Sequence, residues 1–280
     1  MTHNRRFSER DIILVTLLAG LVMLVYVHSL IWARPRVRIE QEMRVAPSAI
    51  VQLFLAGGDR YLASNMATFR AITVGVFQLQ PDTYATLAQV QLSAAILNPK
   101  HEDNYYIAAA ILPWNHQYAP AQEILQRATD ARPKDALPPF FHGFDRFQFR
   151  QDFVGAAKDM MVAAGRADPT NKVALTAIAA KWMERGEDPG FALSVVKTMY
   201  ASARDPALKR LLAARIDRLQ GLMILRDAVA KYRERTGKSP TSLDALVVSG
   251  LIQVVPADPF GFGYGLNDQG NPYLIEKKRS

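Results

Sequence analysis

Four prolines, Pro99, Pro133, Pro169 and Pro206, follow one another at intervals of 34, 36 and 37 residues. The sequence between them is rich in helix formers. Proline suits the first turn of a helix and turns the residue before it away from helical backbone. A near-constant proline interval in such sequence predicts an array of helical hairpins with a proline at each joint. An array of this kind stacks unit on unit and can outgrow a single compact core. It offers surface to other proteins and brings no chemistry of its own.

Counting back from Pro133 gives Ala128, Leu125 and Ala121. The same offsets from Pro169 give Ala164, Met161 and Ala157. These small-large-small triplets lie on one helix face and let the second helix of a hairpin approach the first closely. On these residues the chain resembles the tetratricopeptide repeat family. Residues 102–135 and 136–171 carry the resemblance best, with Tyr105 at the early aromatic position and Gly143 at the small position of a first helix. In 172–208, Ala179, Trp182, Ala201 and Pro206 fit, while Ser194 and Thr198 depart from the inner packing positions. Residues 65–101 resemble a degenerate hairpin through Ala94 and Pro99. The longer intervals imply short insertions in the turns.

The resemblance implies that the first helices line a concave groove for a peptide or protein segment. The residues offered to it are Asn104, Tyr105, Phe140, Phe141, Phe144, Asp145, Lys181 and Arg185. Residues 139–149 read PFFHGFDRFQF. Such a density of rings suits an apolar helix or extended peptide. The competing reading is that single phenylalanines fill the space between hairpins.

Toward the N-terminus, residues 12–32 read IILVTLLAGLVMLVYVHSLIW, without a formal charge. At about 1.5 Å per residue this run matches a hydrocarbon core of ~30 Å, and a transmembrane helix is expected there. Tyr26 and Trp32 stand toward one end, where rings favour the interface. Arg34, Arg36 and Arg38 follow without a small-x-small cleavage site, which favours an uncleaved anchor over a signal peptide. Arg5, Arg6 and Arg10 precede it, so basic residues set no clear orientation. The short N-terminal tail suggests a cytoplasmic start and a periplasmic bulk on a bacterial inner membrane. These arginines, with Lys277, Lys278 and Arg279, account for much of the net charge of +8, and nucleic acid is not expected as a partner. In the lead-in from Val45 to Tyr84, Gly57-Gly58 should break an apolar helix. Asp59 should cap the next, which carries Tyr61, Leu62, Met66, Phe69 and Ile72.

After Gln220 the pattern changes. A helix over 221–236 has Leu222, Ile224, Leu225, Ala228, Val229 and Tyr232 as apolar positions. A turn, a short helix ending at Gly250, a glycine- and proline-rich loop and a hairpin from Tyr264 to Leu274 are expected next, with 268–271 as its turn. The carrying residues Ala230-x-Tyr232, Gly237-x-x-Pro240-x-Ser242-Leu243-x-x-Leu246, Gly250-Leu251 and Pro256-x-Asp258-Pro259-Phe260-Gly261-x-x-Tyr264 resemble the globular part of major pseudopilins and type IV pilin-like proteins. The N-terminus departs from that family, with Arg6, Phe7 and Asp11 where processing needs glycine and glutamate. Asp258 and Asp268 are too few for a calcium site and read as turn-stabilising aspartates.

There is no cysteine, which excludes disulfides, thiolate metal sites and a cysteine nucleophile. His142 and Asp145 could share a helix face, and a hydrolase reading would rest on them. No phosphate loop, dinucleotide fingerprint, metalloprotease motif or nucleophile elbow is present. No catalytic residue, metal or cofactor is therefore expected. The expected fold is mainly α, with a transmembrane helix, a tetratricopeptide-like solenoid and a small α+β module. The segments are 1–11, 12–32, 33–64, 65–220 and 221–280. The expected function is a membrane-anchored protein-binding scaffold or assembly factor of a bacterial envelope apparatus, of type II secretion or type IV pilus-like kind. The partners would be other proteins in the groove, pilin-like or membrane-complex subunits, and the membrane through 12–32. The alternative is a non-catalytic accessory subunit of an integral membrane enzyme complex.

Overall fold

A computed structural model describes residues 9–33, 45–73 and 81–276, with side chains on the first helix described for 14–30. The arginines at 5, 6, 34, 36 and 38, the processing residues at 6 and 7, the basic tail and the middle of the lead-in lie outside the described residues. The chain divides into two units, Met1–Gln41 and Glu42–Ser280.

The first unit holds helix α1, Glu9–Ala33. The expected transmembrane helix over 12–32 is corrected here. Among the described residues, no helix is long and apolar enough to cross a membrane. Within α1 the apolar run is interrupted by Thr16, His28 and Ser29, and the Ser29 hydroxyl donates to Tyr26 O at 2.8 Å.

The second unit is helical almost to its end. It opens with α2 (Ala49–Leu55), α3 (Arg60–Thr73) and α4 (Pro81–Leu97). Then come α5 (Glu102–Ile111), α6 (Tyr118–Ala131), α7 (Leu137–Asp145) and α8 (Phe153–Arg166). The array closes with α9 (Pro169–Met183), α10 (Pro189–Ser202) and α11 (Pro206–Thr236). Consecutive helices pack on each other, and α4–α6 and α5–α7 contacts tie one hairpin to the next. A short α12 (Asp244–Val248) and an antiparallel pair, β1 (Tyr264–Leu266) and β2 (Pro272–Leu274), complete the unit.

The joints show why the prolines recur. Pro169 and Pro206 open α9 and α11, directly after Asp168 and Asp205. Asp168 Oδ1 accepts from the Thr170 and Asn171 N–H groups at 3.0 and 3.1 Å, and Asp205 Oδ1 from Leu208 at 2.7 Å. Each aspartate satisfies donors that the first turn leaves open. Pro99 and Pro133 sit instead in the turns ahead of α5 and α7. Arginines staple these turns together. Arg132 donates to Lys100 O at 2.9 Å, and Arg166 donates to Thr129 O, Arg132 O and Asp135 O at 3.0–3.2 Å.

Close approach of the helices rests on small residues. Ala121, Leu125 and Ala128 are buried as the joint offsets predict, and so are Ala157 and Ala164. Met160, not Met161, is the fully buried large residue of α8, because α8 lies between α7 and α9 and must bury a wide face. In α10 the buried positions are Ala192, Val196 and Met199, while Ala201 is exposed. The inner face is thus displaced two residues from the expected offsets. The longer interval is taken up between the end of α10 and Pro206. Helix α11 runs unbroken through 220 and 221, so the expected boundary there falls inside one 31-residue helix. Leu222, Leu225, Ala228 and Val229 are buried on it, but Ile224 is exposed.

Gly143 marks the tightest crossing. A Cβ at this position would lie 2.8 Å from Ala156 O and 3.0 Å from Asp159 Cβ, so α7 and α8 meet backbone to backbone. Gly143→Ala should cost about 1–3 kcal/mol in chemical denaturation, because the obstacle is main chain. Gly165→Ala, on the open side of α8, should be neutral or stabilising by up to about 1 kcal/mol.

Candidate protein-binding site

The first helices α5, α7 and α9 were expected to present the groove, and the structure sorts their residues into three groups. Asn104 and Tyr105 belong to the core, not to a groove. The Asn104 amide donates to Gln91 O at 2.9 Å and ties α5 to α4. The Tyr105 hydroxyl donates to Asp135 Oδ2 at 3.0 Å, and the Arg132 guanidinium lies 5.5 Å from the ring centre. Burial, and then this carboxylate, raise the Tyr105 pKa. Burial opposes ionisation of Asp135 too, but the Leu137 N–H, Arg132 and Tyr105 outweigh it and hold its pKa below the ordinary value. These contacts lock the turn of Pro133 onto α5.

The second group is exposed or half-exposed. Tyr106, one residue beyond the expected tyrosine, is the ring that α5 presents. It meets Phe141 of α7 edge-on, with centroids 5.3 Å apart, and Phe141 meets Phe140 at 5.4 Å. Phe140 and Phe144 are half-buried against the second core cluster, and Phe141 packs against the first. Lys181 stands exposed on α9. Arg185 follows α9, stacks over Phe147 and Phe153 at 5.1 and 5.7 Å, and pairs with Glu276. Phe147 in turn lies flat on Trp182 at 4.3 Å. Arg185 is thus engaged by the C-terminal segment.

The third group is Asp145 alone, with its neighbour His142. The two do not pair. His142 Nδ1 lies 2.8 Å from Asp159 Oδ2, an acceptor that places the ring proton there. Asp145 is buried, and its Oδ2 has no hydrogen-bond partner among the described residues. Burial pushes its pKa up to about 7.

Two features were not foreseen. A π-helical turn over Arg146–Arg150 carries Phe149 to the turn between α5 and α6. There Phe149 meets the exposed Trp114 edge-on at 4.9 Å and Tyr118 at 5.5 Å. The rings of PWNHQY, residues 113–118, were the available signal. The second feature is a cleft of about 960 Å³ among α8, α9, α10 and α11. Met161, Val173, Met199 and Leu208 supply apolar walls, and Lys172 and Arg204 add positive charge.

The C-terminal module is held by a buried charge cluster. Glu184, at the end of α9, accepts from Arg215 at 2.6 Å and lies 3.6 Å from Arg218, both on α11. Burial raises the Glu184 pKa, with the two arginines opposing. Arg218 also lies 3.2 Å from Asp258 Oδ1 and donates to Ile275 O at 2.6 Å. Asp258 Oδ2 accepts from the Phe262 and Gly263 N–H groups at 3.1 and 2.8 Å, and Oδ1 from Phe260 at 3.0 Å. It therefore organises its own loop. The Tyr264 hydroxyl, buried, donates to Arg218 O at 3.0 Å. A Cβ at Gly221 would collide with that tyrosine. The turn of the β1–β2 hairpin is closed by Asn267, whose Oδ1 accepts from Gln269 and Asn271.

No family model, no curated protein and no solved structure matches this chain. The resemblances to tetratricopeptide and pilin-like proteins rest on the residues that carry them.

The Asp145 environment sets a pH dependence. Its folded pKa, about 7, lies above the ordinary value of 3.8, so the folded state binds the extra proton between those limits. Stability should therefore be highest at the acidic side of this window and fall as pH rises through 7. Asp145→Asn should remove that slope and be the more stable form at pH 8, by roughly a few kcal/mol. Thermal melts of both proteins from pH 5 to pH 8 measure it.

Proposed function

We propose that this chain is a non-catalytic scaffold that grips a segment of a partner protein along its first helices, in a bacterial envelope assembly apparatus. The observation that carries the reading is the Tyr106–Phe141 pair. Two aromatic residues from successive first helices meet edge-on, and the Tyr106 ring stays open to solvent. Rings bury large area at low entropic cost and anchor interfaces. Phe140 and Phe144 stiffen the floor behind them, and Lys181 adds a cation further along. The segment that fits is an apolar or amphipathic helix, or an extended peptide, with an acidic end toward Lys181.

The assembly setting rests on the resemblance of residues 230–264 to pilin-like proteins. The module they form packs on α11, the last helix of the array. A role beside pilin-like subunits is consistent with that placement.

The test is crosslinking from the groove. A photoreactive residue at Tyr106 should capture a pilin-like or secretion component in cells. Tyr106→Ala with Phe141→Ala should abolish recovery of the partner, a loss of at least about 2 kcal/mol of binding. The double variant should retain the helical circular dichroism of the parent. Crosslinks only to subunits of a catalytic membrane complex would instead favour the accessory-subunit reading.

A further inference from the structure

Helix α3 is built inside out. Its inward face carries Ala63, Ser64, Ala67, Thr68 and Ala71, all buried against α4. Ser64 Oγ donates to Ala94 O at 3.0 Å, and Arg60 Nε to Leu97 O at 2.6 Å, so this docking is specific. Its large apolar residues, Tyr61, Leu62, Met66, Phe69 and Ile72, all lie on the opposite arc and are exposed. Asn65 is the polar residue among them. A lone surface helix normally arranges these two sets the other way round. Beside it, α2 exposes Ile50, Phe54 and Leu55, with Phe54 at 82%.

The size of this edge is unusual for a monomer. At ~150–250 Å² for a fully exposed large side chain, the α3 arc offers about 500 Å² and the whole edge about 900 Å². A standard stable interface takes about 800 Å² from each partner. The opposite end of the unit is covered by the C-terminal module. Within the described residues of the second unit nothing covers this one.

We infer that the α2–α3 edge is a self-association surface, covered by the same edge of a second copy of this chain. This goes beyond the groove reading and uses a different surface. The arc is self-complementary when two α3 helices pack antiparallel about Met66. Leu62 of one copy then lies within one residue of the level of Phe69 of the other, and Tyr61 within one residue of Ile72. Asp59 and Arg70 lie on one flank of the helix, at its two ends, where Asp59 accepts from the Tyr61 and Leu62 N–H groups and Arg70 donates to Val45 O. No charge is trapped inside the apolar arc. A two-fold interface needs this kind of self-matching patch, and a closed pair leaves no free edge for further growth.

The chain has no cysteine, so single-cysteine variants of the full-length protein report the contact cleanly. Met66→Cys should form a covalent dimer under mild oxidation about tenfold or more faster than Val248→Cys, an exposed site elsewhere. Sedimentation should show the parent as a dimer at micromolar concentration, and Phe69→Glu as a monomer with unchanged circular dichroism. Leu62→Glu provides a second disruption with the same expected outcome. Equal crosslinking at the two cysteine sites, a monomeric parent, or a dimer that survives both glutamates would overturn the inference. So would a parent that stays monomeric and sediments with lipid vesicles, which would assign the edge to a bilayer. Loss of groove crosslinks alone leaves this surface untouched, so the two readings fail separately.

Discussion

Helix axes in the second unit come close because alanine and glycine line their contacts. Ala88, Ala94, Ala108, Ala121, Ala128, Ala156, Ala157 and Ala179 are essentially inaccessible to water. Alanine loses no side-chain entropy on burial and lets two helices approach nearer than leucine allows. The consequence is a thin core. Bulk is supplied at intervals by single large residues such as Leu87, Leu125, Met160 and Leu212. The remaining large side chains cannot enter and are pushed to the edges. That is why aromatic rings gather at the turns and on the outer faces, where Trp114, Tyr106 and Phe69 stand.

A thin core does not by itself fix the angle at which the last elements dock. The charge cluster does that work at the C-terminal end. Glu184 sits between two guanidiniums, and Arg218 reaches across to Asp258 and to Ile275 O. Removing one member of such a buried set costs about 3–5 kcal/mol, since the others are left charged and unpaired. The 258–264 loop is placed so that Asp258 meets Arg218 and the Tyr264 hydroxyl donates to Arg218 O. Apolar contacts from Leu274 then bridge the array and the module. Helix α11 belongs to both, and Gly221 lets Tyr264 reach its backbone.

The joints and the hairpin were legible because backbone chemistry writes them locally. Asp-Pro before a helix, Gly57-Gly58-Asp59 and the glycine turn of residues 268–271 each determine their own geometry. Asp258 was likewise readable as the organiser of its turn. Sidedness was harder to read. Tyr105 and Tyr106 differ by about 100° around α5. Tyr105 is the one that turns inward, into the first core cluster, where Asp135, thirty residues away, accepts from its hydroxyl. Met160 and Met161 pose the same problem on α8. The two-residue shift in α10 came from a longer turn, which an offset counted from Pro206 cannot detect. The charge cluster was invisible for a similar reason, since Glu184, Arg215 and Asp258 are far apart in the chain. The continuity of α11 was hidden by the change in composition after Gln220.

Helix α3 shows the limit of reading burial from hydrophobic periodicity. Tyr61, Leu62, Met66, Phe69 and Ile72 recur at helical spacing, and periodicity alone assigns them to a core. The alanine face beside them follows the same period and is the one that α4 accepts. In a chain whose helices pack through small residues, the small face is the buried face. The large apolar stripe is then left over for another surface to cover. On α5, Ala108 and Ala109 go inward together with Tyr105, and Tyr106 is displayed. The α3 stripe opposite its alanine face is the surface that the proposed second copy covers, and Tyr106 on α5 is the ring that the proposed groove presents.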